Sequence, residues 1–172
     1  APCLALALVL LAGCTNSPPA PPPDVAVPAV RAVPPLVGRV SDHAGIFPVD
    51  DRRALDARLA EYEQDTTHQI AVLTVPSLDG EAIEAFSLRV ANTWALGQKG
   101  VDNGILVTVA PAERQVRIEL GYGMNRFISD ADAQQIIDEA MLPAFSAGEL
   151  PQGITLGVER LMAAGRAFVV KP

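Results

Sequence analysis

Two nearly unbroken apolar runs, from Gln69 to Val75 and from Gly104 to Ala110, constrain this chain more than any other feature. Neither alternates polar with apolar residues, so each predicts a strand covered on both faces. Between them come a turn at Asp79-Gly80 and a helical stripe of Ile83, Phe86, Val90 and Trp94, with Gly97 as the expected C-cap. A strand, a crossover helix and a second strand make a parallel pair with a right-handed connection. A turn at Pro111 to Glu113 then leads into Val116, Ile118 and Leu120, which alternate with Arg117 and Glu119. That pattern predicts a half-exposed antiparallel strand near an edge.

Helices flank these strands. Pro48 to about Gln64 predicts one, with Leu55, Leu59 and Tyr62 on one face and Asp50 and Asp51 in a first turn that favours anions. Ser129-Asp130-Ala131-Asp132 opens another, which carries Ile137, Ala140 and Met141 and which Pro143 ends or kinks. A last helix follows Pro151, with Ile154, Val158 and Leu161 on one face. The expected fold class is α/β: a three-layer sandwich with a small mixed β-sheet flanked by helices.

The ends of the chain read differently. Leu4 to Leu11 is an apolar run of signal length, too short to span a bilayer, and it ends in Leu11-Ala12-Gly13-Cys14. That ending resembles a bacterial lipobox, with Cys14 as the lipidated residue. Thr15 after it favours the outer membrane over the inner. Eight of the fifteen prolines then fall between Pro18 and Pro35. Proline fixes φ and removes a donor, so residues 15–37 predict an extended, semi-rigid tether. The expected organisation is a signal at 1–14, a tether at 15–37 and one domain at 38–172. The implied location is the cell envelope, facing the periplasm, with the lipid bilayer as a partner through Cys14.

Cys3 and Cys14 both precede the domain, so no disulfide forms within it. The net charge of −7 excludes nucleic acid as a natural partner. His43 and His68 have no zinc-ligand spacing, and no serine sits in a nucleophile elbow.

The predicted hairpin has a geometric consequence. It puts Asp102-Asn103 beside Gly121-Tyr122-Gly123 on one edge of the sheet, with Glu119 just before the bend and Asp130 just after it. Three carboxylates, an amide and a phenol converge there, the oxygen-rich chemistry that calcium or magnesium takes. Each residue also has a plainer reading. Asp102-Asn103-Gly104 is ordinary turn chemistry. Ser129 and Asp132 fit a capping box, or Asp130 is itself the cap. Glu119 is either solvated or paired with Arg117 or Arg114. Lys99, Arg114 and Arg117 could meet a phosphate near this rim. Trp94 is expected to be a core anchor whose indole N–H finds a carbonyl between Gly100 and Asp102.

Trp94, Leu96-Gly97, Lys99-Gly100, Asp102-Asn103-Gly104, Arg114, Arg117-Ile118-Glu119 and Gly121-Tyr122-Gly123 together resemble the signature of the TPM domain. Asp42, Ala44-Gly45 and Gln69-Ile70-Ala71-Val72 upstream, and Asp130-Ala131 and Pro143 downstream, sit where that family has them. The resemblance implies an α/β fold and a cation-associated polar site at positions matching Asp42, Asp102 and Asp130. One departure stands out. Many relatives carry a Glu just after the Gly-Tyr-Gly bend, where this chain has Met124-Asn125.

Some plant members of the family are described as acid phosphatases, and animal relatives modulate a membrane receptor. Two functions are therefore implied. One is a tethered envelope module that binds calcium or magnesium through Asp102 and Asp130, with Asn103, Glu119 and Asp42 nearby. It would hydrolyse phosphoesters with Lys99 or Arg114 on the phosphate. The other is a non-catalytic accessory module that binds a membrane protein partner.

Overall fold

The computed structural model describes residues 31–166. The expected lipobox at Cys14 and most of the expected tether lie outside them. Strands β1 (Val40–Asp42), β2 (Gln69–Thr74), β3 (Gly104–Ala110) and β4 (Gln115–Leu120) form one sheet in that spatial order. The first three are parallel, and β4 runs antiparallel to β3. Helix α1 (Val49–Thr66) follows β1 and α2 (Ile83–Thr93) follows β2. After β4 come α3 (Asp130–Ile136), a π-helical segment (Ile137–Met141), α4 (Leu142–Ser146) and α5 (Leu150–Arg166). Among the described residues no helix is long and apolar enough to cross a membrane.

The nearly unbroken apolar runs follow from helical cover on both faces of the sheet. Successive strand residues point to opposite faces. Ile70, Val72, Ile105, Val107 and Val109 face one core with Leu59, Tyr62, Met141, Ile154 and Leu161. Ala71, Leu73, Leu106 and Ala110 face a second core with Ile83, Phe86 and Val90 of α2. Each large side chain buried this way stabilises the fold by about 1.5–3 kcal/mol. The result is the expected three-layer sandwich.

Strand β1 has no counterpart in the sequence reading. Three residues are too few to show a period, and their pairing with Val72, Leu73 and Thr74 comes from the tertiary fold. Helix α2 also ends differently. Its last turn closes at Ala95, at φ 49°, where Leu96 N–H donates to Ala91 O at 3.1 Å. Gly97 is instead a close-approach residue, since a Cβ there would lie 2.8 Å from the Gly104 nitrogen. Pro143 does not stop its helix. Proline has no N–H and crowds the carbonyl four residues back. The π-helical segment before it widens the turn, with Leu142 N–H donating to Ile137 O.

Residues 31–37, read from sequence as the end of the tether, lie against the domain. Arg31 donates to Ser77 O at 2.6 Å and to the Asp79 carboxylate at 2.8 Å. Val33 packs on the α2-side core. Trp94 is half-buried on this core, and its indole N–H donates to Pro34 O at 2.9 Å. The expected partner between Gly100 and Asp102 is therefore wrong. Trp94 lies past the last turn of α2, where its ring reaches the incoming chain.

Candidate functional site

The candidate site lies where β3 begins and β4 ends. It starts with the loop between α2 and β3, which is held from beneath. Asn103 is buried, its Oδ1 accepting from Gln98 N–H at 2.8 Å and its Nδ2 donating to Thr67 O at 2.7 Å. Gln69 Oε1 accepts from Gly97 N–H at 2.8 Å, and Gln69 Nε2 donates to Glu63 at 2.9 Å. Glu63 in turn pairs with Arg39 at 2.7 Å. This chain of bonds holds Asp102 at the loop's end, at φ 53° with its carboxylate exposed.

The Gly121-Tyr122-Gly123 bend packs directly on that loop. Gly123 N–H donates to Asp102 O at 3.0 Å, and Gly121 N–H to Gly104 O at 2.8 Å. A Cβ at Gly121 would overlap the Asp102 carbonyl, and one at Gly123 the Val101 carbonyl. Only glycine allows backbone to approach backbone this closely. The buried Met124 and Ile128 then anchor the chain below, and Ser129 caps α3. The capping box is complete, and its Ser129 hydroxyl and N–H hold the Asp132 carboxyl below the usual carboxylate range. Asp130 is thereby left as the exposed first residue of α3.

Asp102, Glu119 and Asp130 line one open groove of about 490 Å³ with Arg117 and Tyr122, and α2 supplies Leu88 and Asn92 as a wall. The Asp102 and Asp130 side chains make no hydrogen bond or ion pair with any described residue. Glu119 is half-buried and paired with Arg117 at 3.2 Å. Tyr122 is 86 % exposed at the groove, and Leu88 is 51 % exposed.

The remaining sequence candidates lie elsewhere or are already engaged. Asn103 spends both ends of its amide inside the loop and fixes the geometry from there. Asp42 sits at the C-terminal end of the parallel strands, on the far edge of the sheet. Its carboxylate accepts from Ile46 N–H at 3.2 Å, from Phe47 N–H at 3.0 Å and from the Thr74 hydroxyl. Arg114 lies on the hairpin turn, one strand length of roughly 20 Å from Asp102. Lys99 is exposed on the loop but does not line the groove. Asn125, which stands where many relatives carry a Glu, lines the groove. Leu88 and Asn92 line it too, and no sequence signal singled them out, because polar or isolated residues on a helix read as ordinary surface.

The donor set suits a hard cation only in part. Among the described residues no three His, Cys, Asp or Glu side chains are gathered closely enough to hold a metal. Two carboxylates on one groove, neither bonded to a described residue, match the way magnesium is held, by one or two carboxylates with water completing the shell. Calcium, which takes six to eight oxygens, would need more main-chain and solvent ligands.

The sequence profile of the TPM domain matches residues 40–164. The chain belongs to the TPM-domain family. Solved structures agree with this assignment. The N-terminal domain of a protein from P. gingivalis is 29 % identical with a TM-score of 0.70, over 73 % of this chain and 80 % of that one. The N-terminal domain of the cg2496 protein from Corynebacterium glutamicum is 20 % identical with a TM-score of 0.61, over 83 % and 91 %. The BA42 protein of Bizionia argentinensis is 20 % identical with a TM-score of 0.62, over 70 % and 82 %. At these last two identities the likeness shows the fold alone. No curated protein matches the chain.

Proposed function

We propose that this TPM domain is a cell-envelope module whose groove holds a divalent cation, magnesium or calcium, between Asp102 and Asp130. One observation carries the reading: two carboxylates without partners among the described residues, delivered by separate elements, line the same groove. Such a cation supplies Lewis-acid polarisation of a phosphoryl oxygen or of water. Phosphoester hydrolysis is accordingly the activity to assay. The guanidinium that lines this groove is that of Arg117, which a phosphate would share with Glu119, since Arg114 is at the other end of the sheet. The assay is turnover of a phosphomonoester by wild type and by Asp102→Ala, with and without magnesium. Metal-dependent turnover lost in the variant supports hydrolysis, and equal rates in both oppose it.

A second reading, a non-catalytic module that binds a membrane protein, is favoured by the rim. Tyr122, Leu88 and Val101 are 86 %, 51 % and 47 % exposed at or beside the groove. An exposed aromatic with apolar neighbours is a feature of binding surfaces. Absence of turnover together with cation binding would select this reading.

The lipobox supports attachment to the bilayer through Cys14. Wild-type precursor should fractionate with membranes and carry acyl mass, and Cys14→Ser should be released. Equal membrane retention of both would refute the anchor.

A further inference from the structure

A second groove, of about 430 Å³, opens at the hairpin end of the sheet, between the β3–β4 turn and α4. Val109, Leu142, Phe145 and Leu150 give it an apolar lining, and Arg114 and Gln115 stand at its β4 side. Leu142 is 39 % exposed there. Three observations define what it accepts.

The first is charge. The Arg114 side chain makes no hydrogen bond or ion pair with any described residue. Its neighbour Glu113 is turned away and committed to the Ser77 hydroxyl at 2.7 Å and Leu78 N–H at 2.8 Å. An unpaired guanidinium beside apolar surface complements a carboxylate, which it can grip with two parallel N–H donors.

The second is the backbone at Arg114. Its φ is 55°, the left-handed region where a side chain is disfavoured and glycine is at ease. A hairpin position best served by glycine here carries a long cationic side chain into the groove wall.

The third is the open edge of β4. Gly121 N–H donates to Gly104 O, and this fixes which residues of β4 face β3. Gln115, Arg117 and Glu119 turn their main-chain groups inward, so those of Val116, one residue past the groove-lining Gln115, turn outward. No described residue bonds to them. A free N–H and C=O on an edge strand accept another extended chain.

We infer that this groove binds the C-terminal end of an extended peptide. The terminal carboxylate sits on Arg114, the last apolar side chain fills the space between Val109 and Leu142, and the peptide backbone pairs with the edge of β4 at Val116. The strand edge is what favours a peptide over an acyl carboxylate, which has no use for it.

The test is fluorescence anisotropy with a fluorescein-labelled hexapeptide ending in Val-Val with a free carboxylate, against the same peptide as its C-terminal amide. The free acid should bind wild type at least about tenfold more tightly than the amide, the scale of one charge-assisted hydrogen bond. Arg114→Gly should lose the same factor while its melting temperature stays near wild type, because glycine suits the backbone. Equal binding of acid and amide, no binding to wild type, or full binding by Arg114→Gly would overturn the inference. So would displacement of the peptide by decanoate but not by the unlabelled peptide, since the site would then belong to acyl chains.

Discussion

The main-chain N–H of Gly123 donates to the carbonyl oxygen of Asp102 at 3.0 Å. One bond thus ties the end of the α2–β3 loop to the bend after β4, and so fixes Asp102 relative to the chain that carries Asp130. A Cβ at Gly123 would collide with the Val101 carbonyl. Gly123→Ala should therefore destabilise the domain by about 1–3 kcal/mol, the usual range for overpacking. It should also weaken any cation response, because the two carboxylates would move apart. Urea titration checks the first effect. A Gly123→Ala domain as stable as wild type would contradict the close packing.

His68 predicts how stability follows pH. It is buried, with Tyr62 Oη 3.2 Å from its Nδ1 and the Phe127 ring at 5.2 Å. Arg166 stacks over Tyr62 at 5.4 Å and pairs with Asp65 at 3.6 Å. Burial holds the imidazole below the usual histidine value, so the fold favours its neutral form. The unfolded chain then binds the proton more readily than the folded one. Stability is fully present above about pH 6.5 and is lost as pH falls from there towards the lower folded value. The slope from this one group is at most about 1.4 kcal/mol per pH unit. Denaturation at pH 7.5 and 5.5 should show the loss in wild type and a shallower one in His68→Gln. Stability that rises on acidification would contradict the assignment.

Trp94 reports on the docked segment at residues 31–37. Its ring is half-buried, and its N–H is held by Pro34 O. Emission should be intermediate between that of a core tryptophan and that of a free one. Val33→Asp, which removes an apolar contact of this segment with the α2-side core, should red-shift it. Trp94→Ala should cost less than the roughly 3–5 kcal/mol of a fully buried tryptophan. An unchanged spectrum in Val33→Asp would show that the segment does not hold the indole.

The central sandwich was legible because its signals are local. The continuous apolar runs of β2 and β3, the helical stripe of α2 and the alternation of β4 are each patterns that burial imposes on a short stretch of chain. The hairpin register, which follows from the turn, then brings Asp102, Glu119 and Asp130 into one groove. What was not legible depends on distant partners. Strand β1 is too short to carry a period, so Asp42 could not be placed, and the fold puts it at the other end of the sheet. Asn103 looks like a ligand in sequence because its type is right. Only the structure shows its amide turned inward to Gln98 and Thr67. Arg114 sits close in sequence to the residues of the candidate site, but a strand length separates them in space. The wall supplied by Leu88 and Asn92 depends on how α2 lies over β4, which no periodicity encodes.

The most direct test of the account is the melting temperature of the domain with and without magnesium or calcium, for wild type and for Asp102→Ala/Asp130→Ala. At a hundredfold excess over the dissociation constant, wild type should gain about 2.7 kcal/mol, seen as a rise in melting temperature, and the double variant should gain nothing. A wild type that does not respond, or a double variant that responds equally, would show that this groove does not hold the cation.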